Sequence, residues 1–149
     1  MFLTLAAALL IAQTTQQPGA AAQAPPPTLR PPTRADILRG EYGRYRSNND
    51  LLFYHLDVRV DPEKKSIAGK NTIRFKMLQE GTRIQLDLYS NLRVDRIAMG
   101  GKPLTYEREY NAVFVDFPET LKAGRTYEID FQYSGTPREQ GRFGGMPSR

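Results

Sequence analysis

The length of 149 residues fits one domain, and 40% hydrophobic with 25% charged residues is an ordinary globular composition. The chain has 21 Lys and Arg against 16 Asp and Glu, a net charge of +5, and without Arg30 and Arg34 in the leader about +3 remains on the folded part. This excess is too small and too scattered to indicate a nucleic-acid partner. The absence of cysteine excludes both disulfides and a lipid-modified leader.

The first 24 residues carry the pattern of an export signal. The apolar run FLTLAAALLIA at 2–12 has the length of a signal-peptide core but is too short to span a bilayer, and small residues at 20–24 offer a cleavage site. The run departs from the usual pattern because no Lys or Arg precedes it and Pro25 directly follows Ala24. We predict a signal peptide at 1–24 and an exported protein, periplasmic or extracellular, without a membrane span.

The next segment is rich in proline, with a Pro triplet at 25–27 and a Pro pair at 31–32. Such a composition cannot bury enough surface to fold, so residues 25–34 are predicted to be a disordered, extended linker. The folded domain is then predicted at 35–149. Its first element is a short helical turn from Ala35 to Leu38 that ends near Gly40.

The strands begin with a segment whose residues alternate between two faces. Apolar side chains share one face, and polar ones share the other: Tyr54, Leu56, Val58 and Val60 against His55, Asp57 and Arg59. This period of two predicts a strand with its apolar face in the core. A turn at 61–65 containing Pro62 leads into a second alternating strand at 67–77, and the two strands are predicted to form a hairpin.

Five further alternating runs follow, at 84–88, 92–99, 104–106, 113–117 and 127–133. In the second of them the apolar positions change phase, which predicts a β-bulge near Asp95 and Arg96. No amphipathic helix of three turns is present, which argues against architectures with alternating strands and helices. The fold class is therefore all-β: an antiparallel β-sandwich or saddle-like curved sheet of about seven or more short strands.

Residues suited to catalysis or metal binding are nearly absent. His55 is the one histidine, whereas a catalytic zinc takes three protein ligands. His55 and Asp57 do not form a catalytic triad either, because they point the same way on one strand and no serine stands in a Gly-x-Ser-x-Gly turn. We predict no catalytic, cofactor-binding or metal-binding residue in this chain.

Three other patterns have structural explanations. Gly69-Lys70-Asn71-Thr72 resembles the end of a phosphate loop, but it lacks the first glycine and the hydroxyl after the lysine, so it is interpreted as a strand containing a glycine. The carboxylate pairs Glu107/Glu109 and Asp57/Asp61 are expected to face solvent. Aromatic residues next to basic ones suggest a platform for single-stranded nucleic acid, but most of the rings fall on apolar positions and are assigned to the core.

Several segments together resemble the N-terminal domain of the aminopeptidase N family of zinc metallopeptidases. In chain order they are Tyr54-x-Leu56-Asp57-Val58-x-Val60-Asp61-Pro62, Ile67-Ala68-Gly69-Lys70-Asn71-Thr72-Ile73-x-Phe75, Ile84-Gln85-Leu86-Asp87-Leu88, Leu104-x-Tyr106-x-Arg108-Glu109, Pro118-x-x-Leu121-x-Ala123-Gly124 and Tyr133-Ser134-Gly135. The resemblance extends from about Leu38 to Phe143. It implies a saddle-shaped antiparallel β-domain that packs against a thermolysin-like catalytic domain and caps its substrate cleft.

The residues that perform chemistry in that family have no counterpart in this sequence. The zinc-binding His-Glu-x-x-His helix is missing, and Gly144-Gly145-Met146 is followed by Pro147 where the family's amine-binding loop has Glu-Asn. The resemblance therefore implies a non-catalytic N-terminal fragment of an exported zinc aminopeptidase. Zinc, the catalytic domain and a peptide substrate are expected only in a full-length protein. The alternative is a stand-alone secreted β-sandwich that binds a protein or carbohydrate surface.

Overall fold

The computed structural model describes residues 30–138. The predicted signal peptide at 1–24, the first half of the predicted linker at 25–34, and residues 139–149 of the predicted domain lie outside this range. The glycine-rich segment Gly144-Gly145-Met146 and Phe143 are therefore not described.

Within the described residues the chain forms two short helices and eight strands. The helices are α1 (Arg34–Gly40) and α2 (Arg44–Ser47). The strands are β1 (Asn49–Asp61), β2 (Ser66–Met77), β3 (Gly81–Asp87), β4 (Leu92–Met99), β5 (Lys102–Pro103), β6 (Thr105–Glu109), β7 (Ala112–Leu121) and β8 (Thr126–Gly135). The helix α1 agrees with the predicted helical turn, and it begins at the last residue of the predicted linker.

The strands form two antiparallel sheets. The large sheet has five strands in the order β1-β2-β8-β4-β5, and the small sheet has three in the order β3-β7-β6. β1 and β2 form the predicted hairpin, with Asp61 opposite Ser66 next to the turn. The register of β4 against β8 shifts between Val94 and Arg96, which confirms the predicted bulge. The prediction of an all-β sandwich is confirmed.

The main core contains apolar side chains from the inner faces of both sheets, arranged by the alternation of the strands. From the large sheet come Ile73, Phe75, Met77, Val94, Ile97, Ile129 and Phe131, and from the small sheet Ile84, Val113, Val115, Phe117 and Leu121. β7 is the central strand of the small sheet and continues through Pro118 to Leu121, further than its sequence predicts. Burial of this aliphatic and aromatic surface is the main contribution to the stability of the fold.

A second, smaller core lies on the other side of the small sheet. Leu38 of α1 packs there with Ala112, Phe114 and Tyr45. Thr33 caps α1, since its hydroxyl accepts a hydrogen bond from the Asp36 amide and the Asp36 carboxylate accepts one from the Thr33 amide. The sequence alternation in β7 placed Val113, Val115 and Phe117 on its single apolar face. It therefore did not predict that helix α1 would cover the opposite face, which carries Ala112 and Phe114.

One expectation from the sequence is wrong. The apolar face of β1 was predicted to lie in the core, but Tyr54, Leu56, Val58 and Val60 are all exposed. The physical reason is the unequal width of the two sheets. β1 is an edge strand of the large sheet, and β3, an edge strand of the small sheet, leaves an open groove beside β1 instead of covering its apolar face. Alternation shows that a strand has an apolar face, but it does not show whether another layer covers that face.

Replacing Leu38 by Ala should lower the free energy of unfolding by about 2 kcal/mol, because it empties the small core under α1. Chemical denaturation of the variant measures this loss. The control is Arg39→Ala at the neighbouring exposed position, for which we expect a change of less than about 0.5 kcal/mol. Equal stability of the two variants would show that α1 is not docked on the sheet.

Candidate functional surface

An exposed apolar strip follows β1 on the inner face of the large sheet. We define the β1 strip as Tyr54, Leu56, Val58 and Val60, whose exposed fractions are 48%, 60%, 44% and 55%. Four consecutive inward positions of one strand are thus open to solvent. Single exposed apolar residues are common on protein surfaces, but a contiguous row of them indicates a docking surface.

The β1 strip continues into a groove at the open side of the sandwich. The groove has a volume of about 190 Å³ and a largely apolar lining of Tyr54, Leu56, Asn71, Ile73, Leu86, Asp87, Leu88, Phe131 and Tyr133. β1 and β3, edge strands of the two sheets that do not pair with each other, both contribute residues to its lining. Residues from both sheets therefore line one continuous apolar surface.

Two polar groups lie within this apolar groove. The Oδ1 atom of Asn71 is buried and has no hydrogen-bond partner in the described part of the chain. Burial and the neighbouring Asp87 carboxylate raise the pKa of the Tyr54 hydroxyl. A covering partner with a hydrogen-bond donor near Asn71 would satisfy an acceptor that the sandwich leaves unpaired.

The aromatic ring of Tyr133 closes the floor of the groove across Gly69. The two residues are direct cross-strand partners, and a Cβ atom at Gly69 would lie 2.5 Å from Cζ of Tyr133. Gly69 is therefore needed for the Tyr133 ring to lie against β2 at this position. This explains the glycine in the segment that resembles a phosphate loop, and it confirms the interpretation of that segment as a strand.

The opposite, outer face of the large sheet is polar and carries cross-strand ion pairs. Lys70 Nζ lies 3.0 Å from Asp130 Oδ2, and Thr72 Oγ1 donates a hydrogen bond of 2.8 Å to Asp130 Oδ1. Burial favours the neutral form of Asp130, but hydrogen bonds from Thr72 and Lys70 outweigh this effect and lower its pKa. Lys70 is thus engaged by Asp130 although it lies opposite Asp57 on β1.

The acidic and imidazole groups considered from the sequence are not brought together. His55 is exposed on the outer face of β1. Glu107 pairs with Arg83 at 2.9 Å, and Glu109 pairs with Arg34 at 2.9 Å. The hydrogen bond from Arg34 lowers the pKa of Glu109, so this carboxylate is held in its charged form and is unsuited to act as a general acid.

Residues 30–138 contain no cluster of three or more His, Cys, Asp or Glu side chains with the geometry of a metal site. The same range contains no helix long and apolar enough to cross a membrane. The surface with the clearest potential for function in the described structure is therefore the β1 strip with its groove. This β-sandwich therefore carries an exposed apolar face of the kind that marks interaction surfaces.

Comparison with known proteins identifies the family. Residues 51–144 match the family model of the peptidase M1 N-terminal domain. The chain therefore belongs to the M1 family of zinc metallopeptidases as an N-terminal domain, in agreement with the resemblance found in the sequence. No curated protein sequence matches the chain.

Solved structures of M1 zinc metallopeptidases contain a similar fold. An M1 zinc metallopeptidase from Deinococcus radiodurans is 26% identical over 61% of this chain, with a TM-score of 0.55. A two-domain M1 zinc metallopeptidase mutant bound to L-arginine is 27% identical over 64% of this chain, also with a TM-score of 0.55. The matches cover 21% and 22% of those chains, so this chain corresponds to about a fifth of their length.

The exposed position of the β1 strip predicts how the protein tolerates polar substitutions. Val58→Thr should change the free energy of unfolding by less than about 0.5 kcal/mol, because Val58 is already in contact with water. The same substitution at Val115, which is 0% exposed, should cost at least about 1 kcal/mol because it buries a hydroxyl. Denaturant titrations of both variants measure the difference, and an equal loss at both positions would show that another part of the chain covers the strip.

Proposed function

We propose that this chain provides the non-catalytic N-terminal β-domain of an exported zinc aminopeptidase. In this role the domain packs against a zinc-binding catalytic domain and helps to bound the cleft in which the N-terminal residue of a peptide is removed. The chain is then a fragment of a longer enzyme. The main support is the family match over 51–144 combined with an apolar inner face that the domain itself leaves uncovered.

The β1 strip supports the docking part of the proposal. A solvated apolar row of this kind is unfavourable in an isolated domain and becomes favourable when a partner removes it from water. One of the similar solved structures is described as a two-domain M1 zinc metallopeptidase, and a second domain of that kind is the partner that we propose for the strip. The strip and groove together offer a surface of the apolar character expected where two domains of one polypeptide meet.

The family implies zinc, but the described residues do not fit it. A catalytic zinc needs three protein ligands in tetrahedral geometry, and no group of three suitable side chains meets in residues 30–138. The proposal therefore assigns the metal and all bond-breaking steps to the catalytic domain. No observation on the described residues specifically favours the alternative of a stand-alone binding module for a protein or carbohydrate surface.

Export is also part of the proposal. It is supported by the apolar run at 2–12 with small residues at 20–24, which has the order of a signal-peptide core followed by its cleavage site. The proline-rich linker then separates the cleavage site from the folded domain.

The purified chain should not hydrolyse an aminoacyl-naphthylamide, with or without added zinc. The assay follows release of the naphthylamine by fluorescence, and a full-length M1 zinc metallopeptidase serves as the positive control. Hydrolysis that co-elutes with the chain and is abolished by a chelator would refute the non-catalytic assignment.

The export proposal predicts a processed protein in the periplasm of a Gram-negative host. Cell fractionation and intact-protein mass spectrometry should find a chain that has lost about its first 20–24 residues. In a control variant, Leu9→Arg and Leu10→Arg interrupt the apolar run, and we expect the unprocessed chain to stay in the cytoplasm. Full-length chain in the cytoplasm for both forms would contradict export.

A further inference from the structure

β1 has an unpaired hydrogen-bonding edge as well as an exposed face. The strand extends over 13 residues and pairs only with β2, so its other edge meets no strand in the described part of the chain. A long edge strand with free N–H and C=O groups is a template for pairing with another strand. Natural proteins usually protect such edges with a bulge, a proline or an inward-pointing charge.

The free edge is regular and open from His55 to Asp61. The register of β1 is irregular only between Leu51 and Phe53. The start of the strand is also partly enclosed, because Asn49 and Leu51 share a cavity with Tyr42 and Arg46. The segment from His55 onwards has neither obstacle.

The sequence of this segment is complementary to itself in one antiparallel register. If two copies pair about a two-fold axis at Val58, Asp57 of each copy lies opposite Arg59 of the other, and His55 lies opposite Asp61. These residues share the outer face, so every charged group there meets a group of opposite or complementary charge. On the inner face, Val58 meets Val58 and Leu56 meets Val60. Opposite charges and apolar pairs directly across two strands are the contacts that stabilise a sheet.

The neighbouring registers are less favourable. An axis at Asp57 would place this carboxylate against its own copy and His55 against Arg59, and like charges directly opposite destabilise strand pairing. An axis at Leu56 would bring Phe53 into the pairing, next to the irregular part of the strand. The register about Val58 uses only the regular, open segment.

The charges required for this register are available. Asp57 and Arg59 form no ion pair within residues 30–138, and Lys70, opposite Asp57, is engaged by Asp130. Asp61 is held by the adjoining turn, since the Lys64 amide donates a hydrogen bond of 3.0 Å to its Oδ1 and Lys64 Nζ lies 3.4 Å from its Oδ2, so the His55–Asp61 pair adds little to the pairing. The Asp57–Arg59 pairs therefore provide most of the electrostatic selectivity.

We propose that two copies of this chain associate through the edges of β1, antiparallel and centred on Val58, and so join their large sheets into one continuous sheet. The two β1 strips then lie side by side on one face of the dimer. This interaction goes beyond the proposed packing on a catalytic domain, because it uses the in-plane hydrogen-bonding edge of β1 and needs no other protein.

Cysteine cross-linking of the full chain tests the register, since the natural sequence has no cysteine. Val58→Cys places two cysteines directly opposite, at a Cα separation of about 4.5–5.5 Å that a disulfide can span, and should give a disulfide-linked dimer under mild oxidation. The matched control is Leu56→Cys, whose two copies are offset along the strand by roughly 13 Å and should remain monomeric on a denaturing gel. Equal cross-linking of both variants, or preferential cross-linking of Leu56→Cys, would overturn the proposal.

Charge exchange tests the same interface without a covalent bond. Sedimentation velocity should show that Asp57→Arg raises the dimer dissociation constant roughly tenfold, because it creates two like-charge pairs by symmetry. Arg59→Asp should have a similar effect, which provides a second variant if the first does not fold by circular dichroism. The double variant Asp57→Arg with Arg59→Asp should restore association to near the original level. A chain that sediments as a monomer at all concentrations, or a double variant as weak as the single ones, would refute the edge pairing.

Discussion

The unequal width of the two sheets is the constraint on which the rest of this structure depends. The large sheet has five strands and the small sheet has three, so the small sheet buries the inner face of β2, β8 and β4 but not that of β1. The same sequence alternation thus gives a buried face on β2 and an exposed one on β1. The exposed apolar face of β1 adjoins the buried core directly. The proposed partner domain would bury this face, as the small sheet buries the rest of the inner surface.

Much of the fold could be predicted from the sequence because it depends on local patterns. The period of two predicted the strands, and Pro62 with its neighbours predicted the first turn. The phase change near Asp95 predicted a bulge, which the register shift between Val94 and Arg96 confirms. The helix α1 was also recognised from local signals. The family could be recognised because the order and spacing of several strand motifs is far more specific than any single strand.

The features that could not be predicted depend on how sheets stack. No local signal shows that Gln85, at a polar position of β3, is buried and donates a hydrogen bond to the Leu38 carbonyl. The cover of Phe114 by α1 was missed for the same reason. The exposure of the β1 strip had one signal, the continuous apolar run from Leu51 to Tyr54, since such a run does not fit a strand with one solvated face. That run indicates an unusual environment, but it does not show whether the side chains contact another layer of the same domain, a partner protein or solvent.

The chemistry of the domain follows from its charges. Two of the four carboxylates that resemble acid–base pairs in the sequence are held by arginines, Glu107 by Arg83 and Glu109 by Arg34. Gly69 and Tyr133 likewise serve packing at the floor of the groove. In the proposed function, the zinc chemistry of the M1 family is assigned to a different domain.

The central claim is that the β1 strip is a docking face for an M1 catalytic domain. Hydroxyl-radical footprinting read by mass spectrometry tests it most directly, by comparing labelling of Tyr54, Leu56, Val58 and Val60 in this chain and in a polypeptide where an M1 zinc catalytic domain follows it. The account predicts strong labelling of the strip in the chain alone and protection in the longer polypeptide, with unchanged labelling of the exposed Tyr42. Equal labelling of the strip in both proteins would contradict it.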